Sequence, residues 1–374
     1  MKKKVIIVCY DIPEKTLPPV INLVLYLAEN SSLKIVLIVR ELSSNMKDVF
    51  LQHNIEIIIN ESETLMVLGK YISILYDMYK FQTKVFEYLT INYSKNDLVW
   101  VASHNTLFSL WKKINKYNYY LQLHELLDKY PMRINIIKYI ITKKTKVIVP
   151  SQARAYLSKI LYSLDELPNV LPNKPFTNTY NDNYHYEMDI VKKIKLLKLN
   201  NKLIILYQGV IDSSRPLNNI VSAISNYDNI EIILMGRVIN NYLATLKELN
   251  KDLIHIDYIL SPLHLEITKY ADIGILTYSS DSFNNIYCAP NKIWEYSNFG
   301  IPMLCSTLPC LNDMIDKYSN GESCNLESIN DIVIAINKIT NNYKFYSKNS
   351  LAFFDSCNMN KILNQLVKGT HDNI

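Results

Sequence analysis

The chain has 374 residues, of which 49% are hydrophobic and 20% charged, so it is long enough for two domains and too apolar for global disorder. Its net charge of +5 is small and spread out, which argues against nucleic-acid binding, and its six cysteines form no C-x-x-C pair or zinc pattern. Since no apolar run is long enough for a bilayer span or a signal peptide, we expect a cytoplasmic protein.

The first half of the sequence alternates short apolar runs with longer helical patterns. The apolar runs are nearly continuous and rich in Val and Ile, as parallel strands covered on both faces should be. Strands are predicted at Val5–Cys9, Lys34–Val39, Ile55–Ile59, Leu98–Ala102, Tyr119–Leu123 and Lys146–Val149. Helical stretches such as Pro19–Glu29 and Leu65–Leu89 lie between them. This alternation predicts a doubly wound α/β sheet.

The segment Leu164–Asn201 interrupts this alternation with several prolines and the polar run Asn178–Tyr186. Such a composition favours a connection between domains. We therefore expect a first domain over residues 1–165, a connection over 166–200, a second domain over 201–345, and a C-terminal helix over 346–374 that packs back toward the first domain.

Alternation resumes in the second half of the chain and predicts a second Rossmann-like domain. The predicted strands are Leu203–Tyr207, Glu231–Met235, Ile254–Asp257, Ile273–Thr277 and Pro302–Cys305. The predicted helices are Leu217–Asn226, Pro262–Tyr270, Pro290–Phe299, Ile329–Thr340 and Ser350–Val367. Two α/β domains of similar size favour a ligand site at the cleft between them.

The strongest local signal is the segment Ala289–Pro302, which reads A-P-N-K-I-W-E-Y-S-N-F-G-I-P. Pro290 fits the first position of a helix, and Gly300 followed by Pro302 fits its end. This helix would start at the carboxyl edge of a parallel sheet, where phosphate groups commonly bind.

Three polar side chains give this predicted helix a chemical function. Lys292 lies in the first turn, where a cation is unfavourable for the helix dipole unless an anion is bound nearby. Asn291 and Glu295 are four residues apart and lie on one face. Glu295 can accept hydrogen bonds from vicinal hydroxyl groups such as those of a ribose. The alternative is a surface helix whose charges are solvated, and spacing alone does not decide between the two.

The segment resembles the S/A-P-N-K-x-x-E-Y-x-x-x-G-x-P signature of GT-B glycosyltransferases related to family 4. The resemblance implies a GT-B fold, in which two Rossmann-like α/β domains face each other across a cleft. It also implies that Asn291 and Lys292 face the donor diphosphate and that Glu295 binds the ribose. Many relatives carry another Glu upstream, where this chain has Tyr287, so a sugar contact from that position is in doubt.

Further segments of the second half match the same family in the same order. Tyr207-Gln208-Gly209 followed by Arg215 resembles a strand and loop whose basic residue neutralises the diphosphate, which assigns donor binding to Gly209 and Arg215. Gly236 follows the next strand, where the backbone could approach the donor closely. Tyr258 lies in the segment that resembles the nucleobase loop and could stack on a base, with a half-buried structural Tyr as an equal alternative. The alternative for Arg215 is a solvated side chain at a helix end. Asp272 is interpreted as structural.

The first half resembles the family less. His104 follows the fourth predicted strand, where relatives commonly have a His, and is a candidate for both catalysis and acceptor binding. His124 and Glu125 follow the next strand and are candidates for the acceptor side. A structural role is an equal alternative for each His, and Asp11 is better explained as a turn residue.

The resemblance implies transfer of a sugar from a nucleotide-diphosphate sugar, such as a UDP-sugar, to a saccharide or lipid-linked saccharide in cell-surface polysaccharide synthesis. It also implies retention of configuration. Because no Asp-x-Asp pair occurs, we expect no cofactor and no metal, with Arg215 and Lys292 acting in catalysis. The mild positive charge would suit weak association with the inner face of the membrane. The alternatives are a non-catalytic partner of a transferase and a nucleotide-sugar 2-epimerase.

Overall fold

A computed structural model describes residues 2–60, 70–177 and 189–368. Two predicted segments extend outside these described residues. They are the first turn of the helix predicted at Leu65–Leu89 and the polar run Asn178–Tyr186. The chain divides into two compact units. Unit 1 comprises residues 1–179 and 358–374, and unit 2 comprises residues 180–357.

Unit 1 is built on a seven-stranded parallel sheet with the strand order β3-β2-β1-β4-β5-β6-β7. Its strands are β1 (Lys3–Cys9), β2 (Leu33–Val39), β3 (Glu56–Ile59), β4 (Leu98–Val101), β5 (Tyr119–Gln122), β6 (Lys146–Val149) and β7 (Asn169–Val170). The central strands are buried along most of their length, which explains their continuous apolar sequences.

Helices connect these strands and cover the sheet. They are α1 (Pro13–Thr16), α2 (Pro18–Ala28), α3 (Ser44–Gln52), α4 (Lys70–Asn92), α5 (His104–Leu110), α6 (Pro131–Ile140) and α7 (Gln152–Leu161), with a 3₁₀ helix at Trp111–Lys116. Serine side chains cap the N-termini of α3, α5 and α7. Each accepts a hydrogen bond from the backbone N–H of the residue three positions further along the chain. One core joins α4 to the sheet through Phe81, Val85 and Leu89.

Unit 2 is built on a six-stranded parallel sheet with the strand order β10-β9-β8-β11-β12-β13. Its strands are β8 (Leu203–Gln208), β9 (Ile230–Met235), β10 (Ile254–Ile256), β11 (Ile273–Leu276), β12 (Met303–Ser306) and β13 (Gly321–Cys324). Chain order reverses between β8 and β11, and such a switch point is where ligands bind in open α/β sheets.

The helices of unit 2 form a layer on each side of this sheet, with one hydrophobic core on each face. They are α8 (Asp189–Leu199), α9 (Asn218–Ile224), α10 (Tyr242–Leu249), α11 (Leu265–Thr268), α12 (Phe283–Ile286), α13 (Asn291–Asn298), α14 (Pro309–Tyr318), α15 (Ile329–Asn341) and α16 (Tyr343–Asp355). Asp272 pairs with Lys198 and accepts the backbone N–H of Ile204, a structural role as the sequence indicated.

The last helix of the described residues is α17 (Met359–Lys368), which belongs to unit 1. The hydroxyl of Tyr120 donates to the carbonyl of Leu366 at 2.7 Å, and Asn30 donates to Asn364 at 2.8 Å. The sequence predicted one helix over Ser350–Val367, which was wrong: the helix breaks after Asp355, where the chain passes from unit 2 to unit 1.

Other differences from the predicted elements concern ends and short pieces. The two-residue β7 and the polar β13 were not predicted. Pro290 is the N-cap of α13 rather than its first residue, and α9 begins two residues after Pro216. The helix expected over Pro262–Tyr270 is the single turn α11 flanked by turns. Within the described ranges, no helix is long and apolar enough to span a bilayer.

Candidate functional site

The carboxyl edge of the sheet in unit 2 brings two glycines together. Gly209 follows β8 with φ +139°, and Gly236 follows β9 with φ +147°. A Cβ atom on Gly236 would lie 1.9 Å from the carbonyl oxygen of Gly209. The close approach of the two strand ends therefore requires glycine at position 236, and it leaves the peptide groups beyond β8 and β9 side by side.

Helix α13 delivers Lys292 to this edge. Its ammonium nitrogen lies 4.3 Å from the ring centroid of Tyr207 and 5.6 Å from that of Tyr278. A Cβ atom on Gly209 would lie 2.9 Å from the same nitrogen. Lys292 and Gly209, predicted from separate motifs, are thus direct neighbours.

Arg215, in the loop after β8, also lies close to Tyr278. Its guanidinium carbon is 4.2 Å from the ring centroid of Tyr278, and Nη1 donates to the side-chain oxygen of Asn285 at 3.5 Å. Asn285 is itself fixed by donating to Ser279 and Asp281. Two cations therefore lie within 6 Å of one aromatic ring.

The electrostatics of this pair favour an anionic ligand. Desolvation of its ammonium group, followed by the charge of Arg215, lowers the pKa of Lys292 to about 7, although Glu295 acts in the opposite direction. A lowered lysine pKa means that the surroundings disfavour the second positive charge. A diphosphate between Lys292 and Arg215 would relieve this repulsion.

Glu295 lies on α13 one turn beyond Asn291, and only 7% of it is exposed. The side-chain amide of Gln208 donates to one carboxylate oxygen, and Nε2 of His264 lies 3.3 Å from the other. Thr268 in turn donates to the side-chain oxygen of Gln208 at 2.7 Å. The carboxylate is therefore held in place by residues of β8 and α11.

The remaining predicted donor residues lie near this cluster in the sequence and at the same edge of the sheet. Asn291 is the first residue of α13. Tyr258 follows β10 by two residues and is 48% exposed. Nε2 of His255 on β10 lies 3.1 Å from the carbonyl oxygen of Gly236. Tyr287, at the position where relatives carry Glu, follows α12.

The sequence did not single out Gln208, His264, Thr268, Tyr278 and Asn285. Gln208 belongs to the Y-Q-G run that carried the prediction of Gly209, so a signal for it was present. The other four lie in the segment after β11 (Tyr278 and Asn285) or at α11 (His264 and Thr268). The sequence of these segments does not predict that their side chains contact Arg215 or the Glu295 cluster.

The predicted acceptor residues lie in unit 1 at the carboxyl edge of its sheet. Nε2 of His124 lies 3.1 Å from the carbonyl oxygen of Ala102, and burial lowers the pKa of His124 to about 4. Burial also lowers the pKa of His104, the first residue of α5, while the charges of Asp11 and Glu125 oppose this shift. Glu125 is exposed.

Asp11 connects two strand ends at this edge. It accepts hydrogen bonds from Ser103, the N-cap of α5, and from Asn105 at 2.8 Å. Burial thus lowers the pKa of both histidines and favours their neutral forms. Both imidazoles are partly exposed, and Nε2 of His124 is engaged by the carbonyl oxygen of Ala102.

No group of three or more His, Cys, Asp or Glu side chains among the described residues could hold a metal ion. Arg215 and Lys292 are two cations that the described residues place at the donor-side edge of unit 2.

Solved structures with the same fold extend over the whole chain. HepE of Anabaena in complex with UDP and glucose is 15% identical with a TM-score of 0.72, covering 100% of both chains. Sucrose-phosphate synthase of Thermosynechococcus elongatus is 14% identical with a TM-score of 0.69, covering 98% of both chains. A glycosyltransferase of Rickettsia africae is 14% identical with a TM-score of 0.69, covering 100% of both chains.

These similarities establish a GT-B fold for this chain, as the sequence predicted. No model of a protein family matches the sequence, and the comparison with curated proteins also gives no match.

Proposed function

We propose that this protein is a glycosyltransferase that takes a sugar from a nucleotide-diphosphate sugar and adds it to a saccharide or lipid-linked saccharide. The proposal rests on one arrangement at the carboxyl edge of the second sheet. Arg215 and Lys292 both lie within 6 Å of the Tyr278 ring, and the buried carboxylate of Glu295 lies one turn beyond Lys292 on α13. Two cations and a carboxylate at this spacing suit a diphosphate and the hydroxyl groups of a ribose.

UDP is the proposed nucleotide of the donor. The structures of similar fold include HepE with UDP and glucose and an E. coli protein bound with UDP-2-fluoro glucose. The fold alone does not select a base. The cluster around Glu295 recognises a ribose, and so it agrees with any ribonucleoside diphosphate.

The proposed chemistry breaks the bond between the anomeric carbon and the diphosphate and forms a bond from that carbon to an acceptor hydroxyl, which loses its proton. The departing diphosphate carries the developing negative charge. Arg215 and Lys292 would stabilise this charge in place of a metal ion. Metal independence and retention of anomeric configuration are parts of the proposal, the second from the family resemblance alone.

Unit 1 is the proposed acceptor side. His104 is a candidate base for the acceptor proton, because its lowered pKa keeps the imidazole neutral and able to accept a proton. His124 and Glu125 would line the same edge. A role in cell-surface polysaccharide synthesis and a place at the cytoplasmic face of the membrane complete the proposal.

One surface of unit 1 supports weak association with an anionic membrane. A cavity of about 800 Å³ there is lined by lysines at positions 95, 116, 138, 143, 144 and 146, with Asp165 and Glu166 as its acidic residues. Clustered lysines attract anionic lipid headgroups, and the attraction is weakened by salt.

Calorimetric titration with nucleoside diphosphates in the presence of EDTA tests the donor site. We expect UDP to bind wild-type protein with EDTA present, and Glu295→Ala to weaken binding by about tenfold to a hundredfold, the effect of losing charge-assisted hydrogen bonds. Glu248→Gln on the exposed face of α10 is the matched control. A folded protein that binds no nucleoside diphosphate would favour a non-catalytic partner instead.

A further inference from the structure

The carboxylate of Glu295 is held by a chain of hydrogen bonds inside unit 2. Thr268 is fully buried and donates to the side-chain oxygen of Gln208 at 2.7 Å. Gln208, 4% exposed, uses its amide nitrogen to donate to one oxygen of Glu295. The direction of each bond follows from the carboxylate, which can only accept. The Gln208 amide nitrogen must therefore face Glu295, its side-chain oxygen faces Thr268, and the threonine hydroxyl donates to it. The carbonyl oxygen of His264 lies 3.2 Å from the same hydroxyl.

The second oxygen of Glu295 faces His264, whose Nε2 lies 3.3 Å away. His264 is the N-cap of α11 and Thr268 is its last residue. One helical turn therefore acts on both carboxylate oxygens, directly through His264 and through Gln208 in the case of Thr268. Each oxygen keeps a lone pair for a further donor, since a carboxylate has about four acceptor sites.

We propose that Thr268, Gln208 and His264 are positioning residues that orient the Glu295 carboxylate toward the vicinal hydroxyl groups of the donor ribose. This inference rests on the proposed function of the same site. The three residues need not touch the nucleotide, because they act through Glu295. Thr268 is the best position at which to test this series of hydrogen bonds, because substitution by Val removes its hydroxyl group without changing the shape of the side chain.

The alternative is that the chain of bonds only stabilises the packing of α11 against β8. The two roles differ in what they do to different ligands. A packing defect weakens every nucleotide, whereas a misdirected carboxylate weakens only a nucleotide that has ribose hydroxyl groups to present to it. Comparing UDP with 2′,3′-dideoxy-UDP therefore separates the two roles.

The experiment measures Kd for both nucleotides on full-length wild type, Thr268→Val and Thr268→Ser. We expect Thr268→Val to weaken UDP about tenfold, the effect of breaking one bond in a buried polar network. Binding of 2′,3′-dideoxy-UDP should change less than about twofold, because no hydroxyl remains to be bound by Glu295. Thr268→Ser restores the hydroxyl and should return UDP binding to within about threefold of wild type.

Thr277→Val is the matched control, because Thr277 is also fully buried in unit 2 and its hydroxyl bonds to a backbone carbonyl, that of Pro216, at 3.1 Å. Any change in this control should be equal for the two nucleotides. If Thr268→Val does not fold, Gln208→Met removes the amide while keeping the length of the side chain, and the same discrimination is expected.

Equal weakening of both nucleotides by Thr268→Val, or no weakening of UDP, would overturn the positioning role and leave the proposed donor site intact. A wild-type protein that is folded but binds neither nucleotide would instead refute the proposed function. The two failures are therefore distinguishable in one set of titrations.

Discussion

The surroundings of the Lys292 side chain indicate the kind of ligand that this position would bind. Its ammonium group lies over the ring of Tyr207, and desolvation and Arg215 lower its pKa to about 7. A desolvated cation is costly unless an anion compensates it. The lysine therefore loses its proton more readily than a solvated one, and an anion would draw it to the charged form.

A pH dependence of nucleotide binding follows. Below pH 7 Lys292 is charged and available to the diphosphate, and as the pH rises the neutral amine must take up a proton before it can pair with the ligand. We expect Kd for UDP to increase between pH 7 and 9, approaching tenfold per pH unit. The terminal phosphate itself titrates near a pKa of about 6, so it is already ionised in this window.

Calorimetry at several pH values measures this dependence and the uptake of protons on binding. Lys292→Met should bind UDP more weakly at pH 7, and its Kd should be flat from pH 7 to 9. A wild-type profile that is also flat in this window would show that Lys292 does not contact the diphosphate. A guanidinium group does not lose its proton in this range, so an arginine cannot give the dependence in place of the lysine.

The sequence predicted the charged residues of this cluster but not the residues that support them. Glu295, Lys292 and Arg215 stand in recognisable strings of residues. The bond from Thr268 through Gln208 to Glu295 joins α11, β8 and α13, and local patterns carry no information on how distant elements meet. The sequence therefore indicated candidate donor-binding residues without showing what orients their side chains.

At the scale of elements, α13 can lie against the sheet because β11 carries a glycine. A Cβ atom on Gly274 would lie 2.4 Å from the ring of Tyr296 on α13. The ring is fully buried, and its hydroxyl donates to the carbonyl of Leu206 at 3.1 Å. On its outer side α13 is covered by α16, where Trp294 stacks on Phe353 at 4.5 Å.

Gly274→Ala should therefore disturb both stability and the donor site. The added methyl group must displace Tyr296, and such overpacking lowers the free energy of unfolding by about 1–3 kcal/mol. Because α13 carries Lys292 and Glu295, UDP binding should weaken in the same variant. Chemical denaturation and calorimetry measure the two effects.

The double variant Gly274→Ala with Tyr296→Leu tests the cause. If the steric conflict with the ring is responsible, the second change removes part of it. The double variant should then lose less stability than the sum of the losses in the two single variants. Full additivity would mean that Gly274 matters for another reason, such as the backbone of β11.

Element prediction succeeded where a pattern was long and failed where it was short. The buried strands β1, β2 and β8 appear as continuous apolar runs, and the alternation with helices was enough to predict both sheets. By contrast β13 is polar and only partly buried, and its pairing with β12 depends on tertiary contacts. The break between α16 and α17 likewise reflects a passage between units, which local helix propensity does not encode.

At the scale of the whole molecule, the two units do not correspond to the two halves of the sequence, because the C-terminal residues 358–374 belong to unit 1. Helix α17 belongs to unit 1, where Met359 and Leu363 are buried and Lys3 donates to the carbonyl of Val367 at 2.7 Å. Helix α16 belongs to unit 2 and packs through Phe353 in its core. The residues proposed to bind the donor all lie in unit 2.

A fragment of residues 189–357 should therefore fold and bind UDP by itself. It contains every strand and helix of the second sheet and both of its cores, and its end after Cys357 removes α17 without removing a residue of either core. Circular dichroism and a cooperative unfolding transition establish folding, and calorimetry gives the affinity. We expect Kd for UDP within about tenfold of the full chain, since each 1.4 kcal/mol of lost support corresponds to a factor of ten.

The same fragment with Glu295→Ala is the control for specific binding, and it should lose most of its affinity while keeping its unfolding transition. A fragment that folds cooperatively but binds no UDP would show that unit 1 supplies part of the nucleotide site. In that case the cations and carboxylate of unit 2 would be insufficient, and the assignment of donor binding to one unit would fail. Binding by the fragment would instead confine nucleotide recognition to unit 2 and leave the acceptor as the remaining task of unit 1.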